Sequence, residues 1–280
     1  MKKKRPLRIV TGNANQYSLR LLTSTDTSMN VVVGSLEWAA SQNADAILFP
    51  GGYLRYRSQR HMTEMIHELH ARTKHIPVTA LTGWSGKYNA FYTAENEART
   101  VKNGRFYDFV TVWGPKNPMN PRAPNEPMRY RQRFSNNENW KLADARWINT
   151  PRTIALGTSG RVAELLICGE VFCPLTKQAV GARAAELDAL LVPAHVGQGL
   201  RHWLGLSTFA AKGIPSFTSL HNFGKNSMKQ TWWPTASVPA AKRALPSKVP
   251  GAVNMSTSDT HHVVEADANH RIEWVLWELP

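Results

Sequence analysis

The sequence predicts an α/β fold in one domain, and three observations carry that expectation. Short apolar runs of strand length alternate with segments whose apolar residues recur at spacings of three and four. Such runs stop abruptly at turn-forming residues, as Asp45-Ala46-Ile47-Leu48-Phe49-Pro50 does before Gly51 and Gly52. Neither a fixed-period repeat nor a Gly/Ser- or Pro-rich linker divides the 280 residues, so 1–280 is expected to share one core.

Taken in order, Leu7 to Val10 reads as a first strand, and Met29, Val32, Val33, Leu36, Ala39 and Ala40 mark the buried face of a helix. Residues 45–50 form a buried strand, and Met62, Met65, Ile66 and Leu69 mark a second helix. Ile76 to Trp84, Asn89 to Thr93 and Phe106 to Trp113 follow as strands, the last preceded by the hairpin signal Asn103-Gly104. Five prolines and many Asn and Arg residues make 114–150 an expected irregular excursion. Thr153 to Leu156 and Val162 to Cys168 form a strand pair across Thr158-Ser159-Gly160. A helix from about Lys177 to Glu186, a strand at 188–192, a helix around 203–211 and a strand at 214–220 restore the alternation. A basic, Pro/Ser-rich loop is expected at 222–251, before final strands at 261–265 and 272–279.

Composition narrows the function classes. The chain is 42% hydrophobic, enough for a substantial core, yet its longest apolar runs fall far short of the roughly 18–20 residues of a bilayer span. Met1-Lys2-Lys3-Lys4-Arg5 resembles a signal-peptide n-region, but no apolar h-region follows, so a cytoplasmic protein with no membrane association is expected. Cys168 and Cys173 are expected to be reduced thiols, since a disulfide across so short a gap is geometrically awkward. The formal net charge of +14 suits a protein or nucleic-acid partner, but the basic residues are dispersed and form no DNA-reading helix. Trp232-Trp233-Pro234 lies amid lysines and could stack on bases or anchor its own loop. His195, His202, His221, His261, His262 and His270 show no metal-ligand spacing, and Gly197-Gln198-Gly199 lacks the rest of a phosphate loop; no metal and no cofactor are expected.

The segment richest in chemistry is Ala163-Glu164-Leu165-Leu166-Ile167-Cys168-Gly169-Glu170-Val171-Phe172-Cys173-Pro174. An apolar strand delivers Cys168 to its tip, where Gly169 would permit a sharp turn that exposes the thiol. The plainer alternative is a small core cysteine. Glu170, two residues on, would lie on the same side of a continuing strand, either beside the thiol or salt-bridged under the site.

Ile167-Cys168-Gly169-Glu170-Val171-Phe172 resembles the cysteine segment of the nitrilase, or carbon–nitrogen hydrolase, superfamily. Asp188 to Ala194 resembles the strand that follows it there, and Asp45 to Pro50 an earlier strand. The resemblance implies a four-layer α-β-β-α sandwich and a homo-oligomer. It also implies amide or nitrile hydrolysis through a thioester on Cys168, with Gly51, Tyr53 and His195 lining the substrate pocket. The superfamily's general-base glutamate directly follows the strand-end proline, where this chain has Gly51, and its lysine falls at Gln132 in Tyr130-Arg131-Gln132-Arg133-Phe134. The triad is therefore expected to be degenerate, with Cys168, Glu170 and Gln132 as the catalytic candidates. Glu126 or Glu138 could serve as a replacement base, and Lys116, Lys141, Arg131 or Arg133 as a replacement cation. The same substitutions leave open a second reading, a catalytically inactive module that uses the scaffold to bind a partner.

Overall fold

A computed structural model describes residues 5–16, 25–56, 58–85, 108–114, 127–133, 150–194, 200–223, 236–237, 256–267 and 270–279. In chain order these form β1 (Leu7–Gln16), α1 (Thr25–Ser41), β2 (Ala46–Leu48), β3 (Leu54–Arg55), α2 (Gln59–Thr73), β4 (Thr79–Ser85), β5 (Asp108–Trp113), β6 (Met128–Arg131), β7 (Thr153–Leu156) and β8 (Arg161–Leu165). A 3₁₀ turn (Cys168–Phe172), α3 (Pro174–Ala182), a second 3₁₀ turn (Ala184–Glu186), β9 (Ala189–Pro193) and α4 (Leu200–Ala210) follow, then β10 (Ser216–Phe223), β11 (Ala236–Ser237), β12 (Ser256–Asp267) and β13 (His270–Leu279).

The strands make one curled sheet in the order β6-β5-β4-β2-β1-β10-β9-β8-β7, and β1 is where it divides into two leaves. β13 runs antiparallel along the whole of one edge of β1, from Leu7↔Leu279 to Gln16↔His270. The other edge therefore carries both remaining partners, β2 over Ile9–Thr11 and β10 over Asn13–Gln16. β4, β2, β1, β10, β9 and β8 are mutually parallel, so their carboxyl ends share one rim.

Side-chain alternation assigns the layers. Ala46 and Leu48 of β2 face the other leaf, as do Leu165, Ala189, Leu191 and Phe217, and together they fill the space between the leaves. Ile47, Val10 and Ala80 point the opposite way, onto Met29, Val32, Val33 and Leu36 of α1 and Met62, Met65, Ile66 and Leu69 of α2. Leu190 and Val192 of β9 pack outward against Val180 of α3 and Leu206 and Phe209 of α4. Three apolar interfaces separate four layers, the expected α-β-β-α sandwich.

The expected helices and most expected strands are present, with boundaries shifted by a few residues. Two expectations are corrected. The excursion at 114–150 contains β6, which pairs antiparallel with β5, and the loop at 222–251 contains β11, which pairs with the start of β10. Asn89–Thr93 and Asn103-Gly104 lie outside the described residues. No helix among the described residues is long and apolar enough to cross a membrane.

On α2, His70 Nδ1 is buried without a hydrogen-bond partner. Burial, followed by the nearby charges of Lys74 and His67, lowers its pKa below the ordinary imidazole value. The unfolded chain therefore binds the proton more readily, and stability should rise with pH up to the unfolded imidazole pKa of about 6.5. In urea melts at about pH 5.5 and about pH 7.5, His70→Gln should lose less stability on acidification than the parent chain does.

Candidate active site

Cys168 stands at the carboxyl-end rim, just beyond β8, where the backbone leaves extended conformation at Ile167 (φ −113°, ψ 120°) and enters the first 3₁₀ turn. Cys168 itself has φ +48°, in the left-handed region that residues with a Cβ seldom occupy. The sharp turn thus falls on the cysteine and not, as the sequence suggested, on Gly169, which is buried. Such a conformation costs on the order of 1–3 kcal/mol and persists only where surrounding contacts enforce it. The thiol is partly exposed and packs against the inter-leaf core, whereas Cys173, at the end of the turn, is fully buried; both are free thiols.

The enforcing contacts converge on Glu170. Because the chain curls into a 3₁₀ turn, Glu170 does not continue a strand beside the thiol but folds back beneath it, 1% exposed. Its Oε1 accepts from the N–H of Arg133 at 2.6 Å, and its Oε2 from Arg152 Nη1 at 2.8 Å and from the N–H of Ile167 at 3.0 Å. The network extends outward through Glu164, which accepts from the N–H of Arg152 at 2.8 Å and from Arg183 Nη1 at 2.9 Å. Arg133 is half-buried, and burial, followed by the charge of Arg152, lowers its pKa from the ordinary guanidinium value. Nothing in the sequence flagged Arg152, an isolated arginine after Pro151 whose carboxylate partner is 18 positions away.

Gln132 is buried at the end of β6, next to the Arg133 N–H that Glu170 holds. Met128 and Tyr130, at alternate positions of the same strand, pack on the inter-leaf core as Cys168 does. Alternation therefore carries Gln132 onto the face of β6 that looks toward the cysteine leaf. The structure brings Cys168, Glu170 and Gln132 into one neighbourhood by this route.

Pro50 closes β2 at the same rim. Tyr53 N–H donates to the Pro50 carbonyl at 3.2 Å, which makes Pro50–Tyr53 a β-turn with Gly52 at φ +65°. Gly51 N–H donates across the rim to the carbonyl of Ala194 at 3.0 Å, so this turn is tied to the chain that follows β9. Tyr53 is fully buried against Phe49, ring centroids 5.4 Å apart, in the core beneath α1 and α2. There it supports the turn from below, and burial raises its phenol pKa. His195, Lys116, Glu126, Glu138, Lys141 and Trp232-Trp233-Pro234 lie outside the described residues. Among the described residues no group of three or more His, Cys, Asp and Glu side chains is arranged to hold a metal ion.

The architecture that places Cys168 at this rim is similar over the whole chain to solved structures of the amidase from Nesterenkonia sp. AN1. A mutant bearing the acetamide moiety of fluoroacetamide on its active-site cysteine superposes with a TM-score of 0.59 at 12% identity, covering 99% of this chain and 92% of that one. The fold matches that of nitrilase-superfamily amidase structures. A cysteine-to-alanine mutant of that amidase, described as belonging to the nitrilase superfamily, gives a TM-score of 0.54 at 14% identity over 99% of this chain and 92% of that one. A double mutant in complex with acrylamide gives 0.55 at 12% identity over 100% and 92%. No protein-family model matches this chain, and no curated protein matches it in sequence. The nitrilase-like fold thus stands on architecture alone.

Proposed function

We propose that this protein is a carbon–nitrogen hydrolase of the amidase type that uses Cys168 as its nucleophile. The observation that carries the reading is the cysteine at φ +48° on the carboxyl rim, held there by buried contacts. In the proposed reaction Sγ bonds to the amide carbonyl carbon, the C–N bond breaks, and the thiol proton departs with the amine. Water then cleaves the thioester, releasing the acid and restoring the thiol. Gln132 is the proposed donor to the tetrahedral oxyanion; as a neutral amide it would do this less well than a cation. Gly51 carries no group able to take a proton, so the base is proposed to come from elsewhere at the rim. Substrates are proposed to be small amides or nitriles, with Gly51 and His195 around them and Tyr53 supporting the Gly51 turn from the core.

The test pairs adduct formation with turnover. Fluoroacetamide should add one acetamide moiety to the intact chain and none to Cys168→Ala, and ammonia should be released from simple aliphatic amides by the parent chain alone. A second reading, an inactive nitrilase-like scaffold whose +14 surface serves a protein or nucleic-acid partner, is favoured by the neutral residues at Gly51 and Gln132. It wins if no amide or nitrile yields ammonia. Any acyl thioester trapped on Cys168 sinks it.

A further inference from the structure

We propose that Glu170 is a positioning residue, a latch that holds the Gln132–Arg133 side of the site against the Cys168 turn; the proposal rests on Cys168 being the nucleophile. One carboxylate accepts from three separate stretches of chain: Arg133 N–H at 2.6 Å, Arg152 Nη1 at 2.8 Å and Ile167 N–H at 3.0 Å. Arg133 and Arg152 stand on either side of residues 134–149, and Arg133 Nη2 donates to the carbonyl of Thr150 at 2.7 Å. The two stems of that segment are therefore closed on each other, and both are tied to the residue two places after the thiol.

Each bond has a geometric consequence for the site. Ile167 directly precedes Cys168, so the bond to its N–H sets the backbone that enters the left-handed residue. Gln132 directly precedes Arg133, so the second bond sets the distance between Gln132 and the cysteine turn. The ion pair with Arg152 supplies the counter-charge that lets a carboxylate stay buried there. Three of the roughly four acceptor positions of a carboxylate are thereby occupied. A general base needs a lone pair aimed at the proton it removes, and this carboxylate is committed to holding three segments together.

The experiment measures the maximal rate (kinact) and the half-saturating concentration (KI) for fluoroacetamide at Cys168. The proteins are the parent chain, Glu170→Gln, Arg152→Met and the double variant. The latch predicts that kinact falls by about 100-fold in each single variant, the scale expected of a misplacement near 1 Å, while KI changes little. It also predicts that the double variant is no slower than either single one, because each breaks the same device. The double variant removes both buried charges, so it carries the test even where a single variant fails to fold. Loss of kinact in Glu170→Gln with a normal rate in Arg152→Met would identify a base and overturn the latch. Additive losses, or parent-like rates in both single variants beside a fast parent, would also overturn it while leaving the nucleophile reading intact. A parent thiol no faster than the urea-unfolded chain would overturn both.

Discussion

Arg152→Met should lower the stability of the folded chain by about 3–5 kcal/mol, the range found when one partner of a buried ion pair is removed. The two side chains are 6% and 1% exposed, so solvent screens little of their interaction. Methionine fills much of the volume of arginine but leaves the Glu170 carboxylate with two backbone N–H donors and without its directly bonded cation, the half-buried Arg133 guanidinium being the charge that remains nearby. The backbone bond from residue 152 to Glu164 survives the substitution, which makes the side-chain pair the quantity measured. Adding Glu170→Gln should recover most of the loss, because replacing both partners of a buried pair is often close to neutral. Urea melts of the four proteins read this directly. A single variant within about 1 kcal/mol of the parent would mean that the pair is not buried as described.

That pair also shows where sequence reasoning stops. Strands buried on both faces were readable because their alternation is simple: Ala46 and Leu48 serve one interface, Ile47 the other, and the run ends at Pro50. The same pattern is present in β6, where Met128 and Tyr130 face inward, but Pro127 and the intervening arginines make the segment look like loop. β3 and β11 are two residues long and carry no signal of their own. The pairing of β1 with β13 joins the two ends of the chain and follows from no local feature, although both strands could be recognised separately.

The candidate site divides in the same way. Cys168 was visible because an apolar strand, a cysteine and a glycine in succession describe an exposed tip. The turn nevertheless falls one residue earlier than glycine's conformational freedom suggested, on the cysteine itself. Glu170 was visible as a residue but not as a latch, since its placement depends on the change from strand to 3₁₀ turn at residue 168. Gln132 was singled out by resemblance alone, and its burial just beyond the end of β6 follows the alternation of Met128 and Tyr130 in that strand. Tyr53 was expected to line the pocket; its ring instead completes the core under the turn.

Gly83→Ala should be the most damaging small substitution at the rim. A Cβ on Gly83 would fall 2.6 Å from Gly51 Cα and 2.7 Å from Gly52 N, and would press on the Pro50 carbonyl oxygen. All three are backbone atoms, so no side chain can swing aside. β4 cannot retreat, because it is paired on one edge with β2 and on the other with β5, where Gly83 lies opposite Val110. The Pro50–Tyr53 turn must move instead, straining the bond from Gly51 N–H to Ala194 that ties β2 to the far leaf. Overpacking of this kind costs about 1–3 kcal/mol. Because the displaced turn is part of the rim that holds Cys168, the fluoroacetamide adduct should also form more slowly on the fraction that remains folded. Denaturant melts and intact-mass time courses on the same samples separate the two effects. A variant with parent-like stability would show that the turn has room to shift, and the rim would then be more pliable than its hydrogen bonds imply.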